Sequence, residues 1–258
     1  MDTRRPPVWW ELGVGFAAFI ACVSLSRASF GDKHAAAVAN AREVVRLEAA
    51  LGLDVEISMN QWLVQHDWLA AVTAYHYAAM YALTSIAVLV FLYLRRPPLY
   101  RWGRRSCLVL NLVAAGCFAL YPVAPPRLNP DLPVVDTVER QHIWGTWGSP
   151  VGDAVNHYAA LPSLHFALVV WVLMMLMLAT RSVVLITLAA ADVVITAWVV
   201  VATGNHYPLD LVAATVLVGI SVAPTRPAPP GRPRRRPGGW LGRLTDALRA
   251  RAILMDPS

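Results

Sequence analysis

The sequence has little charge for its length. Only 15% of its 258 residues are Asp, Glu, Lys or Arg, whereas 57% are hydrophobic. This composition is too apolar for an ordinary soluble domain and is typical of membrane proteins.

Cysteines and the common nucleotide and metal motifs are also scarce or missing. The three cysteines, Cys22, Cys107 and Cys117, all lie in hydrophobic stretches, which excludes a disulfide framework and favours a packing role. The sequence contains no Gly-rich phosphate loop, no paired-cysteine metal spacing and no His-Glu-x-x-His pair. We therefore expect neither a P-loop nucleotide site nor one of the common zinc sites.

Long apolar stretches are what the sequence has in abundance. A membrane-spanning helix needs roughly 20 mostly apolar residues. Stretches of about this length occur near 9–26, 69–94, 106–123, 164–180, 183–201 and 208–224. They predict an all-α membrane protein with six transmembrane helices in one domain, residues 1–224. The first stretch, behind Arg4 and Arg5, also has the pattern of a signal peptide, and its removal would not change the orientation of the other five.

The basic residues predict the orientation, because Lys and Arg concentrate in short cytoplasmic loops. With a cytoplasmic amino terminus, 16 of the 22 Lys and Arg residues fall on the cytoplasmic side. The loops 27–68, 124–163 and 202–207 are then outside the cell membrane, and both chain termini are cytoplasmic.

Two segments do not have the pattern of spanning helices. Val38 to Trp68 mixes apolar and charged residues at helical spacing, which predicts an amphipathic helix at the outer interface; a solvated connector is the alternative. Residues 225–258 are rich in Pro and Arg, which predicts a disordered cytoplasmic tail on anionic lipid. Nucleic acid is not an expected partner, because a membrane span directly precedes the tail.

Three short polar clusters interrupt the apolar pattern. They are Tyr121 to Arg127, Ala160 to His165 and Gly204 to Asp210, at the ends of predicted spans three, four and six. The predicted topology brings all three to the outer face of the membrane. Polar and ionisable residues at this depth are rare and usually functional.

The residue types in these clusters suit phosphoryl transfer. His206 and Asp210 are one helical turn apart, so the carboxylate can orient the imidazole as a nucleophile. His165 is then the general acid, Arg127 offers a fork of donors for phosphate, and Ser163 begins a helix whose N–H groups bind anions. Taken singly, Arg127 is also typical of a membrane-flanking charge, His165 of an interfacial histidine and Asp210 of a helix-start acid.

These clusters resemble the type 2 phosphatidic acid phosphatase superfamily, and more closely its inositol phosphorylceramide synthase-like branch. The resemblance covers roughly 45–224 and is carried by Pro125-Pro126-Arg127, Pro162-Ser163-Leu164-His165 and His206-Tyr207-x-x-Asp210. It implies a six-helix membrane enzyme acting on a lipid phosphate or phospholipid, including isoprenoid-linked ones. It further implies a phosphohistidine at His206 oriented by Asp210, His165 as acid and base, Arg127 and Ser163 on the phosphate, and no metal or other cofactor.

The sequence departs from the usual lipid-phosphatase pattern at two phosphate ligands. Leu120 and Val200 stand where that pattern has a Lys and an Arg, as in the synthase-like branch, and this argues against strict phosphatidic acid phosphatase activity. Asn156, His157 and Asn205 are candidate substitutes, although capping or solvent-facing roles suit them equally.

Two polar features lie within predicted spans and outside the clusters. Asp192 and the Tyr75-His76-Tyr77 run predict hydrogen bonds between helices, or alternatively a proton relay. A relay would suit a proton-coupled transporter or lipid flippase, but the sequence lacks the repeats typical of that class. An intramembrane serine protease built on Ser163 and His206 lacks a Gly-rich nucleophile elbow.

Overall fold

The computed structural model describes residues 33–142 and 156–225, together with positions 10, 13–15, 17 and 20 near the amino terminus. The first predicted span lies mostly outside the described residues, and so does the tail from residue 226. The helices of the described part, in chain order, are α1 (His34–Leu51), α2 (Glu56–Val64), α3 (Asp67–Arg95), α4 (Pro97–Leu120), α5 (Thr137–Arg140), α6 (Leu164–Ala179), α7 (Val183–Ala202) and α8 (Pro208–Val222).

The described part is all-helical, as predicted. A 3₁₀ turn at Pro126–Leu128 and an isolated bridge between Val123 and Ala159 connect the helices, and no strand occurs in these ranges. By length and composition, α3, α4 and α7 can each cross a membrane, whereas α6 and α8 are shorter apolar helices. Membrane residence is thereby supported, and the count of six spans stays a prediction.

Helix starts follow local sequence signals. Pro97 and Pro98 begin α4 well before the span predicted from residue 106, because proline is favoured in a first helical turn. Ser163 and Ser182 cap α6 and α7, and their hydroxyl oxygens accept from the N–H groups of Phe166 and Leu185. These caps set the point at which the chain turns into each apolar helix.

Helix α6 lies at the centre of the fold and packs against α3, α4, α7 and α8. Its Trp171 is fully buried, and the indole N–H donates to the Ser106 hydroxyl of α4 at 2.9 Å. The helix surfaces of α3 and α7 that are not packed against other helices are apolar and exposed, as at Leu83, Val183 and Val194. Exposed apolar surface of this extent fits contact with lipid.

The segment predicted as one interfacial helix forms two helices instead. Gly52, at a φ of +68°, ends α1 in the left-handed conformation, and α2 starts at Glu56. Glu48 and Glu56 are buried, whereas Arg42 and Glu43 are exposed. Two acidic residues therefore face the protein, and the location of this segment at the membrane interface stays a prediction.

Candidate active site

The three polar clusters lie against one another. The Arg127 N–H donates to the Gly204 carbonyl at 2.9 Å, and the Ser163 N–H donates to the Asp210 carbonyl at 3.2 Å. His206 Nδ1 is 2.9 Å from the Ala160 carbonyl oxygen. The first two clusters thus both contact the third, Gly204 to Asp210, which is the arrangement that the predicted topology requires.

The segment between α7 and α8 is shaped by a glycine and a proline. The N–H groups of Asn205 and His206 both donate to the Val200 carbonyl, at 3.2 and 3.0 Å, which folds the chain back over the end of α7. Gly204 permits this turn because its φ is +76°, and a Cβ there would lie 2.6 Å from Val134 Cγ1. Pro208 then begins α8.

The hydrogen bonds of His206 determine its tautomer. Nδ1 is 2.9 Å from the Ala160 carbonyl oxygen and 3.1 Å from Asp210 Oδ2. A carbonyl oxygen can only accept, so the proton of the neutral ring must be on Nδ1. Nε2 consequently keeps its lone pair, which is the state that a nucleophilic or basic imidazole requires.

Asp210 is fully buried at 0% exposure, in the first turn of α8. Its Oδ2 accepts from the Tyr207 N–H at 2.8 Å and also faces His206 Nδ1. Its Oδ1 has no hydrogen-bond partner among the described residues. One carboxylate oxygen therefore both caps α8 and orients the imidazole.

His165 lies in the first turn of α6, with its ring centroid 5.8 Å from that of His206. Two tyrosines of α3 hold it: Tyr77 stacks on its face at 4.2 Å and 19°, and Tyr81 meets it edge-on at 4.2 Å and 62°. Sequence reasoning missed this role of the two tyrosines. Their spacing of one helical turn is the available signal, because it puts both rings on one face of α3.

Arg127 is held by a carboxylate that sequence reasoning also missed. Its side chain is only 3% exposed, and Nε lies 2.9 Å from Asp136 Oδ2. Asp136 Oδ1 accepts from the N–H groups of Val138 and Glu139, which begin α5. Burial lowers the pKa of the Arg127 guanidinium and the Asp136 carboxylate raises it. The ion pair therefore offsets the cost of burying the cation.

The other predicted phosphate ligands have mixed environments. Ser163 is fully buried and uses its hydroxyl oxygen to accept from the Phe166 N–H at 3.3 Å. Asn205 is buried beside His206 and its amide donates to Thr203, whereas Asn156 accepts from the Tyr158 N–H as a local cap. His157 is half-buried next to Asn156.

The two positions that depart from the lipid-phosphatase pattern contribute no cation here. Leu120 is 88% exposed at the end of α4. Val200 is fully buried in α7, where its carbonyl accepts from Asn205 and His206. Of the cations that the usual pattern provides, Arg127 is the one that this sequence retains.

His76 and Asp192 meet between α3 and α7. His76 Nε2 is 2.9 Å from Thr196 Oγ1 and 3.5 Å from Asp192 Oδ1. Thr196 Oγ1 in turn lies 3.5 Å from Asp192 Oδ1. The group connects the two helices by hydrogen bonds, as one of the two sequence interpretations predicted.

No group of three or more His, Cys, Asp and Glu side chains within the described ranges has the arrangement of a metal site. His165, His206 and Asp210 therefore do not form such a group in this geometry. The absence of a metal from the reaction stays a prediction.

Comparison with protein families decides the membership of the chain. The sequence model of the PAP2 superfamily matches residues 42–224. The chain belongs to the PAP2 superfamily. The match includes all three polar clusters, and PAP2 proteins are generally phosphatases, which supports an enzyme acting on a phosphate-containing substrate. No curated protein and no solved structure matches the chain.

Proposed function

We propose that this PAP2 protein is a membrane phosphatase or phosphotransferase that acts on a lipid phosphate or phospholipid through a phosphohistidine at His206. The observation that carries the proposal is the 2.9 Å contact between His206 Nδ1 and the Ala160 carbonyl, which leaves Nε2 as a lone-pair donor. Asp210 orients the ring and stabilises the positive charge that develops on it during attack.

The reaction has two steps. In the first, His206 Nε2 forms a bond to phosphorus while the bond from phosphorus to the leaving oxygen breaks, and His165 gives that oxygen a proton. In the second, His165 removes a proton from water or an alcohol, whose oxygen attacks phosphorus as the bond to Nε2 breaks. One residue serves as acid and then as base, so protons balance over the cycle.

The phosphate is bound by charge and by backbone donors. Arg127 is buried beside the His206 segment and supplies N–H donors to the phosphoryl oxygens. Ser163 begins α6, and the N–H groups of that first helical turn favour an anion. Positioning and charge stabilisation of this kind account for most of the catalysis in phosphoryl transfer.

A second function, transfer of a phospho-headgroup to a lipid or sugar alcohol in the manner of inositol phosphorylceramide synthase, is favoured by one observation. Leu120 and Val200 replace the two further cations of the lipid-phosphatase pattern. A phosphodiester carries one negative charge, whereas a phosphomonoester carries about 1.5 to 2 at neutral pH. A site with fewer cations therefore suits a diester donor better.

The proposed orientation puts this site on the outer face of the cell membrane, with both termini in the cytoplasm. It rests on the division of 16 basic residues inside and six outside. The basic tail, residues 225–258, would then contact anionic lipid of the cytoplasmic leaflet.

Purified protein in detergent tests both functions. A lipid phosphomonoester and a phospholipid diester are each supplied with and without an alcohol acceptor, and free phosphate and transferred product are measured. We expect turnover that survives strong chelation and is lost in His206→Ala. Loss of turnover on chelation, restored by zinc, would refute the phosphohistidine mechanism in favour of metal-assisted hydrolysis.

A further inference from the structure

Glu48 is an acidic residue that is fully buried, which is rare for this residue type. It lies on α1, which contains none of the proposed catalytic residues, and its side chain is 0% exposed. A fully buried carboxyl group normally needs a specific partner to offset its lost hydration. The identity of that partner indicates what Glu48 does.

The partner is the backbone that carries the nucleophile. Glu48 Oε1 accepts from the Leu209 N–H at 2.7 Å. Leu209 lies in the first turn of α8, directly before Asp210, and the N–H groups of a first turn have no partner within their helix. Pro208 has no N–H and the Tyr207 N–H donates to Asp210, so Glu48 satisfies the next donor in line.

A second residue of the same two-helix segment supports the same backbone from its other end. Asn60 of α2 donates from Nδ2 to the carbonyls of Ala202 and Val135, both at 2.9 Å. Its Oδ1 accepts from the Val135 N–H at 2.8 Å. Helices α1 and α2 thus hold the 202–210 segment at its start through Asn60 and near its end through Glu48.

We propose that Glu48 is a positioning residue for the nucleophile, acting through the Leu209 N–H on the first turn of α8 and thereby on Asp210 and His206. This inference rests on the proposed function, since it assigns Glu48 a role in the same reaction. The hydrogen bond that links Glu48 to this segment goes to the backbone of Leu209, so its effect is on the placement of the nucleophile.

The surroundings of Glu48 favour the uncharged form of its carboxyl group. Burial is the main cause that raises the pKa of its carboxyl group to about 8, with smaller contributions from Glu56, Asp210 and Asp54, against the lowering effect of the Leu209 N–H. Glu56 approaches from α2, Asp54 from the turn before α2, and Asp210 and the phenol of Tyr207 from the start of α8. The neutral form is favoured below that pKa, and the arrangement weakens as pH rises through about 8, because a second negative charge then forms beside Asp210.

Three variants separate the effect of the hydrogen bond to Leu209 from the effect of the charge at position 48 and from that of any change on α1. Glu48→Gln keeps an acceptor for Leu209 and cannot ionise, whereas Glu48→Met has a similar shape and no strong acceptor. Glu43→Ala, an exposed position of the same helix whose carboxylate accepts from the Tyr121 hydroxyl, is the matched control. Amide hydrogen exchange of residues 206–212 measures how firmly the start of α8 is held and does not depend on activity. The values of kcat and KM then measure the effect on catalysis.

We expect Glu48→Met to accelerate exchange in 206–212 and to lower kcat at least about tenfold with little change in KM, as a lost buried hydrogen bond predicts. Glu48→Gln and Glu43→Ala should retain wild-type exchange and kcat at pH 6.5. Protection of residues 206–212 against exchange should fall in the wild type as pH rises through about 8 and should persist in the Gln variant.

The inference is overturned if Glu48→Met leaves exchange and kcat unchanged, or if Glu48→Gln loses as much as Glu48→Met. Should the Met variant fail to fold, the pH dependence of exchange decides: a loss of protection in 206–212 above about pH 8 that occurs in the wild type and not in Glu48→Gln supports the inference, and equal behaviour of the two proteins overturns it. The wild-type protein could lack phosphoryl transfer while Glu48→Met still exchanges faster than the wild type. That result would support the Leu209 contact and refute only the proposed function.

Discussion

Replacing Asp210 by Asn should cost far less activity than the same change in a serine protease triad. The spacing of His206 and Asp210 alone predicts a large defect, because an Asn can impose the wrong imidazole tautomer. In the structure the Ala160 carbonyl lies 2.9 Å from Nδ1 and independently requires a proton there. The variant should therefore keep the lone pair on Nε2.

The expected magnitude follows from the hydrogen bonds of the carboxylate. Its Oδ2 accepts from both His206 and the Tyr207 N–H, so the Asn oxygen should occupy that place and the amide group that of Oδ1. The bond to the imidazole then changes from charge-assisted to neutral, a loss of about 1–2 kcal/mol. This corresponds to a decrease in kcat of roughly 5- to 30-fold, against about 10⁴-fold for a tautomer change.

The assay is hydrolysis of an aryl phosphate and of a lipid phosphate in detergent, with Asp210→Ala as the comparison. The Ala variant loses both hydrogen bonds and leaves the buried Tyr207 N–H without an acceptor, so it should lose much more activity than Asn. A loss of about 10³-fold or more in a folded Asp210→Asn protein would refute the role given to Ala160.

Three other predictions follow from the structure and the sequence. His165→Ala should lower turnover of a lipid phosphate at least about 10²-fold, and an aryl phosphate should recover much of this loss because its leaving oxygen needs little protonation; equal loss on both substrates would contradict the assignment. Gly204→Ala should lower the melting temperature by several degrees, since a left-handed alanine costs about 1–2 kcal/mol and its Cβ would meet Val134; an unchanged melting curve would contradict the turn geometry. Cysteines introduced at 128–160 should react with an impermeant reagent on intact cells and those at 98–103 should not, whereas the opposite labelling would put the site on the cytoplasmic side.

The parts of the site that the sequence predicts are those with a local pattern. His206 and Asp210 are recognisable because their spacing matches one helical turn, and His165 and Arg127 because they are polar at the ends of apolar stretches. Their convergence also follows from counting spans, because alternate ends of successive helices share one membrane face.

Contacts between residues distant in the sequence were not predictable in this way. Tyr77 stacks on His165 only because α3 packs against α6, and Asp136 pairs with Arg127 only because the irregular segment between them folds back. Glu48 is the clearest case, since a charge in an amphipathic pattern normally indicates a solvated face. Its carboxyl group is bound by the Leu209 N–H at the start of α8, and no local pattern around Glu48 reveals that partner.

Helix boundaries show the same limit. The hydropathy of 106–123 predicts where the chain is apolar, but α4 spans Pro97–Leu120 because the prolines start the helix earlier. The single helix predicted from Val38 onward ends at Leu51, because Gly52 adopts the left-handed conformation. In both places residues with special backbone properties outweigh the average hydropathy of the segment.

The most direct test of the central claim is covalent trapping of the phosphoryl group. Protein in detergent is mixed with substrate labelled on phosphorus, quenched within the first turnover, and analysed for the chemical stability and position of the label. We expect an acid-labile, alkali-stable phosphate on the peptide that contains His206, and its absence from His206→Ala. Label that is acid-stable and lies on Ser163, or label that persists in His206→Ala, would contradict it.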